Sequence, residues 1–295
     1  MPEVVICAVA RTPVGKYRGA LSDRSAVELG IHVVKGLLER AEIDPVSGVV
    51  DEVLFGQVLQ AGVGQAPARQ VALGAGLPNS TPATTINKVC GSSLKAVMMA
   101  ANSIRAGEYD VIVAGGMESM SNAPYFAQKI SRTEFGEMRP TMVHDGLWDV
   151  YNDRHMGNYA DMCAEKYSFS REEQDAFTKE SYTRAQKAQS EGKFADEIVS
   201  VEVKDRRGNV SEVSVDDEPG KADFEKITKL KPAFGKEGTV TAANASKIND
   251  GAAALVVLDE NKGAELKVKP VAQILAQASV AQEPEWFTTA PVGAI

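Results

Sequence analysis

Hydrophobic and polar positions alternate along this chain with two different periods. Apolar runs of strand length occupy residues 4–10, 51–59 and 109–116, and between them apolar residues recur every three or four positions. Runs of the first kind are typical of buried strands, and the second spacing is typical of helices that cover a sheet. The alternation of the two predicts an α/β fold, with a mixed, mainly parallel sheet covered by helices.

The pattern changes in the middle of the chain, from Met117 to about Asn244. The first part of this region, through Pro140, is rich in methionine and small polar residues and is predicted to be a loop. Farther on, Ser170 and Glu173 have the spacing of a capping box, which predicts the start of a polar helix. An apolar strand pattern then returns. We therefore expect the sheet domain to be interrupted by an inserted subdomain.

One cysteine, Cys90, stands where a predicted strand turns into a predicted helix. The small residues Gly91, Ser92 and Ser93 follow it directly. After them, apolar residues recur at helical spacing: Leu94, Val97, Met98, Ala101 and Ile104. A helix N-terminus favours anions, and cysteine reacts as its thiolate, so Cys90 is a candidate nucleophile. The alternative is a core role, because free cysteine is often a small buried hydrophobe.

Composition and charge exclude several classes of protein. A length of 295 residues favours about two domains, and 44% hydrophobic with 24% charged residues is typical of soluble globular proteins. The net charge of −8 argues against a general nucleic-acid binder. No apolar run is long enough to cross a membrane, and the N-terminus lacks the pattern of a signal peptide. We expect a cytoplasmic protein; an organelle form from which the transit peptide has been removed would show the same features.

The cysteines and histidines do not have the spacing of a metal site. Cys7, Cys90 and Cys163 form no CxxC pair, which suits a reducing compartment better than a disulfide framework. The three histidines stand far apart, so no zinc site is expected. The loop after the first strand lacks G-x-G-x-x-G and no P-loop motif occurs, so NAD and ATP are not expected either.

Six stretches of the sequence match the motifs of one family in the family's order. They are ARTPVGKYRGAL (10–21), GQVLQAGVGQAPARQ (56–70), INKVCGSSLKAV (86–97), AGGMESMSNAP (114–124), DGLWDVYNDRHMG (145–157) and LKPAFGKEGTVTAANASKINDGAAA (230–254). On these stretches the chain resembles a thiolase of the acetyl-CoA acetyltransferase (acetoacetyl-CoA thiolase) type. The resemblance implies a thiolase-like fold with an inserted loop domain.

The resemblance also implies the chemistry. Cys90 would take an acyl group from a thioester, and the acyl-cysteine intermediate would divide a carbon–carbon step into two easier ones. Its backbone N–H would stabilise the thioester oxygen during transfer. The reaction condenses two molecules of acetyl-CoA to acetoacetyl-CoA, or cleaves that product with CoA. No cofactor beyond CoA and no metal is implied, and the HMG sequence at 155–157 favours a small acyl group.

A set of CoA-binding residues follows from the same motif match: Leu147, His155, Met156, Phe234, Ala242 and Ser246. The first three would line a tunnel for pantetheine, and the others would cover the adenine and pantetheine, with the Ser246 hydroxyl facing an amide. Lys221 stands where many members carry an arginine near the CoA 3′-phosphate, and it offers a point charge without the planar fork. Alternatively, Phe234 and Met156 are core residues and His155 is an exposed polar residue.

The resemblance implies a thiolase-like α/β domain at 1–117 plus 245–268, a CoA-binding loop domain at 118–244, and the start of a truncated C-terminal domain at 269–295. The family's N-E-A-F segment, G-H-P histidine and C-x-G cysteine do not occur in this sequence. Because such groups act with the nucleophile as a unit, we expect the chain alone to be nearly inactive. Truncation, a clipped protein and a second chain carrying the missing half all stay open.

Two functional classes follow from this sequence. The first is a thiolase acyltransferase, and the alternative is a non-catalytic acyl-CoA-binding or scaffold subunit, or an inactive fragment of a thiolase. A cysteine hydrolase is weaker, because neither His32, His144 nor His155 stands in a recognisable partnership with Cys90. By analogy with the family, we expect a homodimer or homotetramer, with residues 57–70 and the strand before Cys90 near the interface.

Overall fold

The computed structural model describes residues 3–204 and 207–295. Within these ranges the strands form one seven-stranded sheet and three two-stranded sheets. In chain order they are β1 (Val4–Arg11), β2 (Gly15–Lys16), β3 (Glu52–Gly56), β4 (Ala83–Ile86), β5 (Val111–Ser119), β6 (Tyr125–Lys129), β7 (Phe135–Pro140), β8 (Trp148–Asp149), β9 (Arg154–His155), β10 (Val201–Lys204), β11 (Val210–Val213), β12 (Asn249–Asp259) and β13 (Ala272–Gln273).

The described residues also form nine α-helices. They are α1 (Ala26–Arg40), α2 (Pro67–Gly74), α3 (Ser92–Ala106), α4 (Thr141–Gly146), α5 (Met156–Lys166), α6 (Arg171–Ser190), α7 (Phe224–Ile227), α8 (Glu260–Leu266) and α9 (Ala290–Ala294). Short 3₁₀ helices occur at Pro45–Ser47, Met120–Asn122, Pro219–Lys221 and Pro284–Thr289. None of the described helices is long and apolar enough to cross a membrane.

The seven-stranded sheet has the order β13-β1-β12-β5-β3-β4, with β2 paired to β12. β3 runs parallel to both β4 and β5. β12 lies antiparallel to β1, β2 and β5, and β13 lies antiparallel to β1. Five of the seven described strands therefore point in one direction, which confirms the predicted mixed, mainly parallel sheet. The mixture arises because β12 enters in the reverse direction between β1 and β5.

Helices cover both faces of this sheet. On one face α1 and α2 pack on the strands through side chains that include Leu37, Val53 and Phe55. On the other face α3 contributes Ala100 and Ile104 to a second apolar cluster. A sheet that is covered on both faces needs apolar side chains on both sides of its strands. Accordingly, β5 is buried at every position except one.

Two of the long helices begin with a capping box. At the start of α1, the Ser25 hydroxyl accepts from Glu28 N at 3.2 Å, and the Glu28 carboxylate accepts from Ser25 N at 2.8 Å. Ser170 and Glu173 repeat this arrangement at the start of α6, with distances of 3.1 and 2.8 Å. The capping box predicted at Ser170 is therefore confirmed, and it satisfies N–H groups that a helix start leaves unpaired.

The buried face of α3 differs from the predicted one. Ala101 and Ile104 are buried as expected, but Ala96 and Ala100 face the sheet, and Leu94 is 68% exposed. Residues advance by about 100° each around a helix, so Leu94 lies about 120° from Ala100. The small alanine side chains let the helix approach the sheet closely, which leaves the larger Leu94 outside.

A hairpin, β6–β7, occupies part of the region that was predicted as a loop. The N–H of Ile130 donates to Glu134 O at 2.9 Å and closes its turn. Aromatic residues such as Tyr125 and Phe135 favour strands, but they are 60% and 65% exposed and follow no clear alternation with buried positions. The loop prediction was wrong here because the hairpin leaves no hydrophobic period in the sequence.

The chain separates into two compact units. Unit 1 is drawn from Met1–Pro124, Ala195–Asp217 and Asn249–Ala276, and unit 2 from Tyr125–Phe194, Glu218–Ile248 and Gln277–Ile295. Unit 1 contains the seven-stranded sheet with α1, α2, α3 and α8, and also the hairpin β10–β11. Unit 2 contains α4 to α7, α9 and the hairpins β6–β7 and β8–β9. The domain division drawn from the sequence stays a prediction.

Candidate active site

In unit 1, Cys90 lies in the short connection between β4 and α3. β4 forms one edge of the described sheet, and Cys90 stands two residues before the start of α3. Cys90 is exposed and belongs to neither apolar cluster. Cys7, in contrast, is half-buried and donates to Val256 O at 3.9 Å, and burial raises the pKa of its thiol to about 11. Of these two cysteines, Cys90 offers the accessible thiol.

The turn that carries Cys90 is held in a conformation that is rare for its residue type. Val89 has a φ of 47°, in the left-handed region that a β-branched residue seldom adopts. The Asn87 side chain accepts from Val89 N at 2.9 Å. The Ser92 hydroxyl accepts from Lys88 N at 2.8 Å and donates to Val89 O at 2.5 Å. These hydrogen bonds offset the energetic cost of the strained backbone at Val89 and fix the direction of the turn that carries Cys90.

Two glycines let the start of α3 lie directly on the sheet. A Cβ atom on Gly56, at the end of β3, would lie 2.6 Å from Ser93 N. A Cβ atom on Gly116, in β5, would lie 1.9 Å from the Ser93 hydroxyl and 2.8 Å from Gly56 O. No larger residue fits at either position without a shift of the backbone or of Ser93. The sequence contains both glycines, but only the paired strands show that they meet the same turn of helix.

A partly buried carboxylate connects this end of the sheet to the Cys90 turn. The two oxygens of Glu118 accept from Val58 N at 2.9 Å and from Leu59 N at 3.1 Å. Burial raises the pKa of Glu118, and the two N–H donors act in the opposite direction. Val58 O in turn accepts from the Asn87 side chain at 3.5 Å. Glu118 was missed by the sequence reasoning, because nothing in its local pattern indicates burial.

In unit 2, four of the predicted CoA-binding residues come together around the start of α5. The His155 ring stacks on the Phe234 ring with 4.9 Å between centroids, and Met156 N donates to Leu147 O at 2.9 Å. The Nδ1 atom of His155 accepts from Gly157 N at 3.0 Å. Burial lowers the pKa of His155 and thereby favours the neutral ring.

Two other predicted residues, Lys221 and Ala242, line a cavity of about 210 Å³ within unit 2. Its lining includes two lysines that the motif match did not select, Lys226 and Lys247. Lys247 Nζ donates to Ala242 O at 2.5 Å and lies 5.8 Å from the centre of the Tyr182 ring. Lys226 Nζ pairs with Asp223 Oδ2 at 2.8 Å, and Glu218 is the other acidic residue of the lining. Three lysines against two carboxylates leave a small excess of positive charge, which suits an anionic ligand.

Ser246, the last of the predicted binding residues, is exposed and is not among the residues that line this cavity. Its neighbour Lys247 does line the cavity. Tyr182 lines it as well, although it comes from the middle of the polar helix α6. Sequence reasoning missed Tyr182 and Lys247 because neither lies at a motif position that the resemblance assigns to CoA.

Comparison with known proteins decides the family. The family model described as "Thiolase, N-terminal domain" matches residues 4–261. Acetyl-CoA acetyltransferase 2 of Arabidopsis thaliana is 51% identical over 99% of this chain and 73% of its own length. The acetyl-CoA acetyltransferase of Yarrowia lipolytica is 50% identical over 98% of this chain and 72% of its own length.

The chain belongs to the thiolase family. Among solved structures, Acat5 thiolase from Ascaris suum in complex with coenzyme A is similar with a TM-score of 0.91 and 39% identity. That likeness covers 99% of this chain and 75% of the other. The predictions of a thiolase-like fold and of a thiolase-type enzyme, an acyltransferase, are therefore confirmed.

In this thiolase chain, each histidine has its own local contacts. His32 Nε2 lies 2.7 Å from Ser200 O, His144 pairs with Asp145 at 2.7 Å, and His155 caps α5. Among the described residues, no hydrogen bond joins a histidine to Cys90. This arrangement lends no support to the cysteine hydrolase alternative.

Proposed function

We propose that this thiolase transfers an acetyl group through a thioester on Cys90, either condensing two acetyl-CoA molecules to acetoacetyl-CoA or cleaving that product with CoA. The observation that carries the proposal is the exposed Cys90 on a constrained turn at the start of α3. The chain is also 51% identical to a relative named acetyl-CoA acetyltransferase 2.

The first step forms one bond and breaks another. The Cys90 thiolate attacks the carbonyl carbon of acetyl-CoA, and the bond from that carbon to the CoA sulfur breaks. CoA leaves as a thiolate and takes up the proton that Cys90 has lost. A base removes a proton from the methyl carbon of a second acetyl-CoA, and that carbon then attacks the carbonyl carbon of the acetyl-cysteine. The bond from the carbonyl carbon to the Cys90 sulfur breaks, acetoacetyl-CoA is released, and the Cys90 thiolate is regenerated, with the removed proton left on the base. The backbone N–H of Cys90 is proposed to stabilise the carbonyl oxygen.

Unit 2 is proposed to bind CoA. The cluster around His155 and Phe234 supports an apolar pocket for the pantetheine arm, which Leu147 and Met156 would complete. Lys221 at the 210 Å³ cavity supports a site for the nucleotide end, where ammonium groups attract phosphate as point charges. The proposal also includes Ala242 against the adenine and a hydrogen bond from the Ser246 hydroxyl to an amide of the pantetheine.

Complete turnover is proposed to use further polypeptide. The G-H-P histidine and C-x-G cysteine that the family resemblance implies do not occur among the 295 residues. Three of its relatives are longer, since the chain covers 73%, 72% and 75% of them. We propose that the base and the second cysteine come from an additional segment or from a second chain.

Assembly and location are part of the same proposal. β4 is an edge strand of the described sheet, and an edge offers unpaired backbone groups to a second copy. This supports a homodimer or homotetramer with the strand before Cys90 and residues 57–70 near the interface. A cytoplasmic location stays a prediction.

The test is acetylation of the purified chain by acetyl-CoA, followed by intact mass and peptide mapping. One acetyl group per chain is expected, located on Cys90 and absent from Cys90→Ser. Cys7→Ser and Cys163→Ser are matched controls and are expected to keep the adduct. An acetyl group that persists in Cys90→Ser would show that Cys90 is not the acyl carrier.

The same sample decides the alternative of a non-catalytic acyl-CoA-binding or scaffold subunit. The absence of the G-H-P and C-x-G motifs from the sequence is what favours that alternative. Isothermal titration calorimetry with CoA then accompanies the acetylation assay. CoA binding without any adduct on Cys90 would support the binding subunit and would count against acyl transfer by this chain.

A further inference from the structure

Helix α6 contains two ion pairs of the same spacing in very different surroundings. Near its start, Arg171 Nε lies 2.9 Å from Asp175 Oδ2, and the two side chains are only 20% and 5% exposed. Near its end, Arg184 and Glu180 are 78% and 57% exposed. Moving charges out of water is unfavourable, so the buried pair needs further contacts that the exposed pair does not.

Arg171 makes such contacts with a segment more than fifty residues away. Its Nη2 atom donates to Ile227 O at 3.0 Å and to Leu230 O at 2.9 Å. Both Ile227 and Leu230 line the cavity that also contains Lys221. Hydrogen bonds from a charged donor are roughly twice as strong as neutral ones, so this wall of the cavity is firmly attached to α6.

Asp175 orients the guanidinium. One of its carboxylate oxygens binds Arg171, and the other has no hydrogen-bond partner among the described residues. A buried carboxylate that leaves an oxygen unpaired contributes little stability on its own. Its contribution is to hold the planar arginine fork in the direction of the two carbonyl groups.

A second residue of α6 holds the other end of the same segment. Gln186 Nε2 donates to Pro219 O at 2.6 Å, at the start of the 3₁₀ helix that ends at Lys221. Arg171 holds residues 227 and 230 at the far end. The segment from 219 to 230, which supplies much of the cavity lining, is therefore fixed at both ends by side chains of one helix.

We propose that Arg171, oriented by Asp175, is a positioning residue that sets the affinity of unit 2 for the nucleotide end of CoA. It touches no substrate and acts through Ile227 and Leu230. The inference rests on the proposed function, because it takes the 210 Å³ cavity as the site of that end of CoA. α6 is then a support for the binding site, although its surface is mostly polar and exposed.

The test compares two substitutions on one helix. Arg171→Met is expected to raise the Kd for CoA about tenfold in isothermal titration calorimetry, which corresponds to about 1.4 kcal/mol. Arg184→Met removes the exposed partner of the matched pair and is expected to leave the Kd within about twofold, since surface pairs contribute little. Asp175→Asn keeps the guanidinium and is expected to raise the Kd by less than Arg171→Met.

A donor without the nucleotide separates positioning from general damage. Acetylation of Cys90 by S-acetylpantetheine is expected to proceed at the same rate in Arg171→Met as in the unmodified chain. Equal losses with CoA and with S-acetylpantetheine, or an unchanged Kd for CoA in both Arg171→Met and Asp175→Asn, would overturn the inference. An unmodified chain that fails to bind CoA would instead remove the proposed site, and the inference with it.

Discussion

The two units hold their candidate site residues by different kinds of contact. In unit 1, Gly56 and Gly116 allow the start of α3, beside Cys90, to pack directly on the backbone of the sheet, and the Asn87 and Ser92 side chains add hydrogen bonds within the turn. In unit 2, the candidate CoA residues are held by side chains, through the His155–Phe234 stack and the bonds from α6. A backbone that packs directly on another backbone cannot easily make room for an added side-chain atom. Side-chain contacts, in contrast, can be removed one at a time while the others stay in place. We therefore expect steep effects of substitution in unit 1 and graded effects in unit 2.

The largest effect is expected for Gly116→Ala. The new methyl group would lie 1.9 Å from the Ser93 hydroxyl and 2.8 Å from Gly56 O, so the start of α3 has to move. Overpacking of this kind destabilises proteins by about 1–3 kcal/mol, and we expect the upper end of that range in urea unfolding. Acetylation of Cys90 is expected to fall with it.

The matched control for that substitution is Gly220→Ala. A Cβ atom there has no neighbour within 4 Å. Surface changes of this type stay within about 0.5 kcal/mol. If Gly116→Ala and Gly220→Ala unfold at the same urea concentration, the close approach of α3 to the sheet does not constrain the turn, and the contrast between the units fails.

A smaller and more local effect is expected for Gly157→Ala. A Cβ atom at Gly157 would lie 2.4 Å from the Phe234 ring, which has to swing away from His155. We expect the Kd for CoA to rise about tenfold, or about 1.4 kcal/mol, in calorimetry. Alkylation of Cys90 by iodoacetamide is expected to be unchanged. A parallel loss of Cys90 reactivity would contradict the separation between the two kinds of contact.

The smallest expected effect is a change of the free energy of unfolding with pH, caused by His155 of unit 2. Burial lowers the pKa of His155 from its ordinary value near 6.5. Between the lowered pKa and about 6.5, the unfolded chain binds a proton that the folded chain does not, so the free energy of unfolding rises with pH in this window. Above about 6.5 the contribution is fully present, and it is lost as the pH falls through the window.

The measurement is the free energy of unfolding of the unmodified chain and of His155→Gln from pH 5 to pH 7.5. The unmodified chain is expected to gain stability relative to the variant as the pH rises. Iodoacetamide labelling of Cys90, compared between the two proteins at each pH, is expected to be the same. A constant difference in unfolding free energy at every pH would show that the pKa of His155 is the same in the folded and unfolded chains, which would contradict the effect of burial.

Much of the fold could be predicted from the sequence, because the local spacing of apolar residues and the capping residues indicate where strands and helices lie. The buried strands β1, β3 and β5 read as apolar runs, and the start of α6 was readable from Ser170 and Glu173. The prediction from spacing favours the most hydrophobic residues, however. It therefore predicted that Leu94 is buried, and it did not predict the burial of the less hydrophobic Ala96 and Ala100. The face of α3 that packs on the sheet is set by how closely the helix can approach the strands, and this distance depends on side-chain size.

Some residues of the candidate site could likewise be predicted from the sequence, and others could not. The position of Cys90 before a helix was readable, and so were the motif residues around His155. The contacts of Arg171 with Ile227 and Leu230, and of Lys247 with Tyr182, join positions far apart in the chain. Such pairs leave no periodic trace in one sequence. Only the folded chain shows that a polar helix supports the cavity.

The place of β12 in the sheet has a consequence for how this chain is made. Among the described strands, β1 pairs with β12 and β13 only, and about 240 residues separate β1 from β12, so β1 leaves the ribosome long before its partner strand. Until β12 is synthesised, β1 and β5 both present open edges to the surroundings. Sheet pairings this distant in sequence form slowly. We therefore expect the nascent chain to depend on chaperones until β12, which ends at Asp259, has emerged from the ribosome.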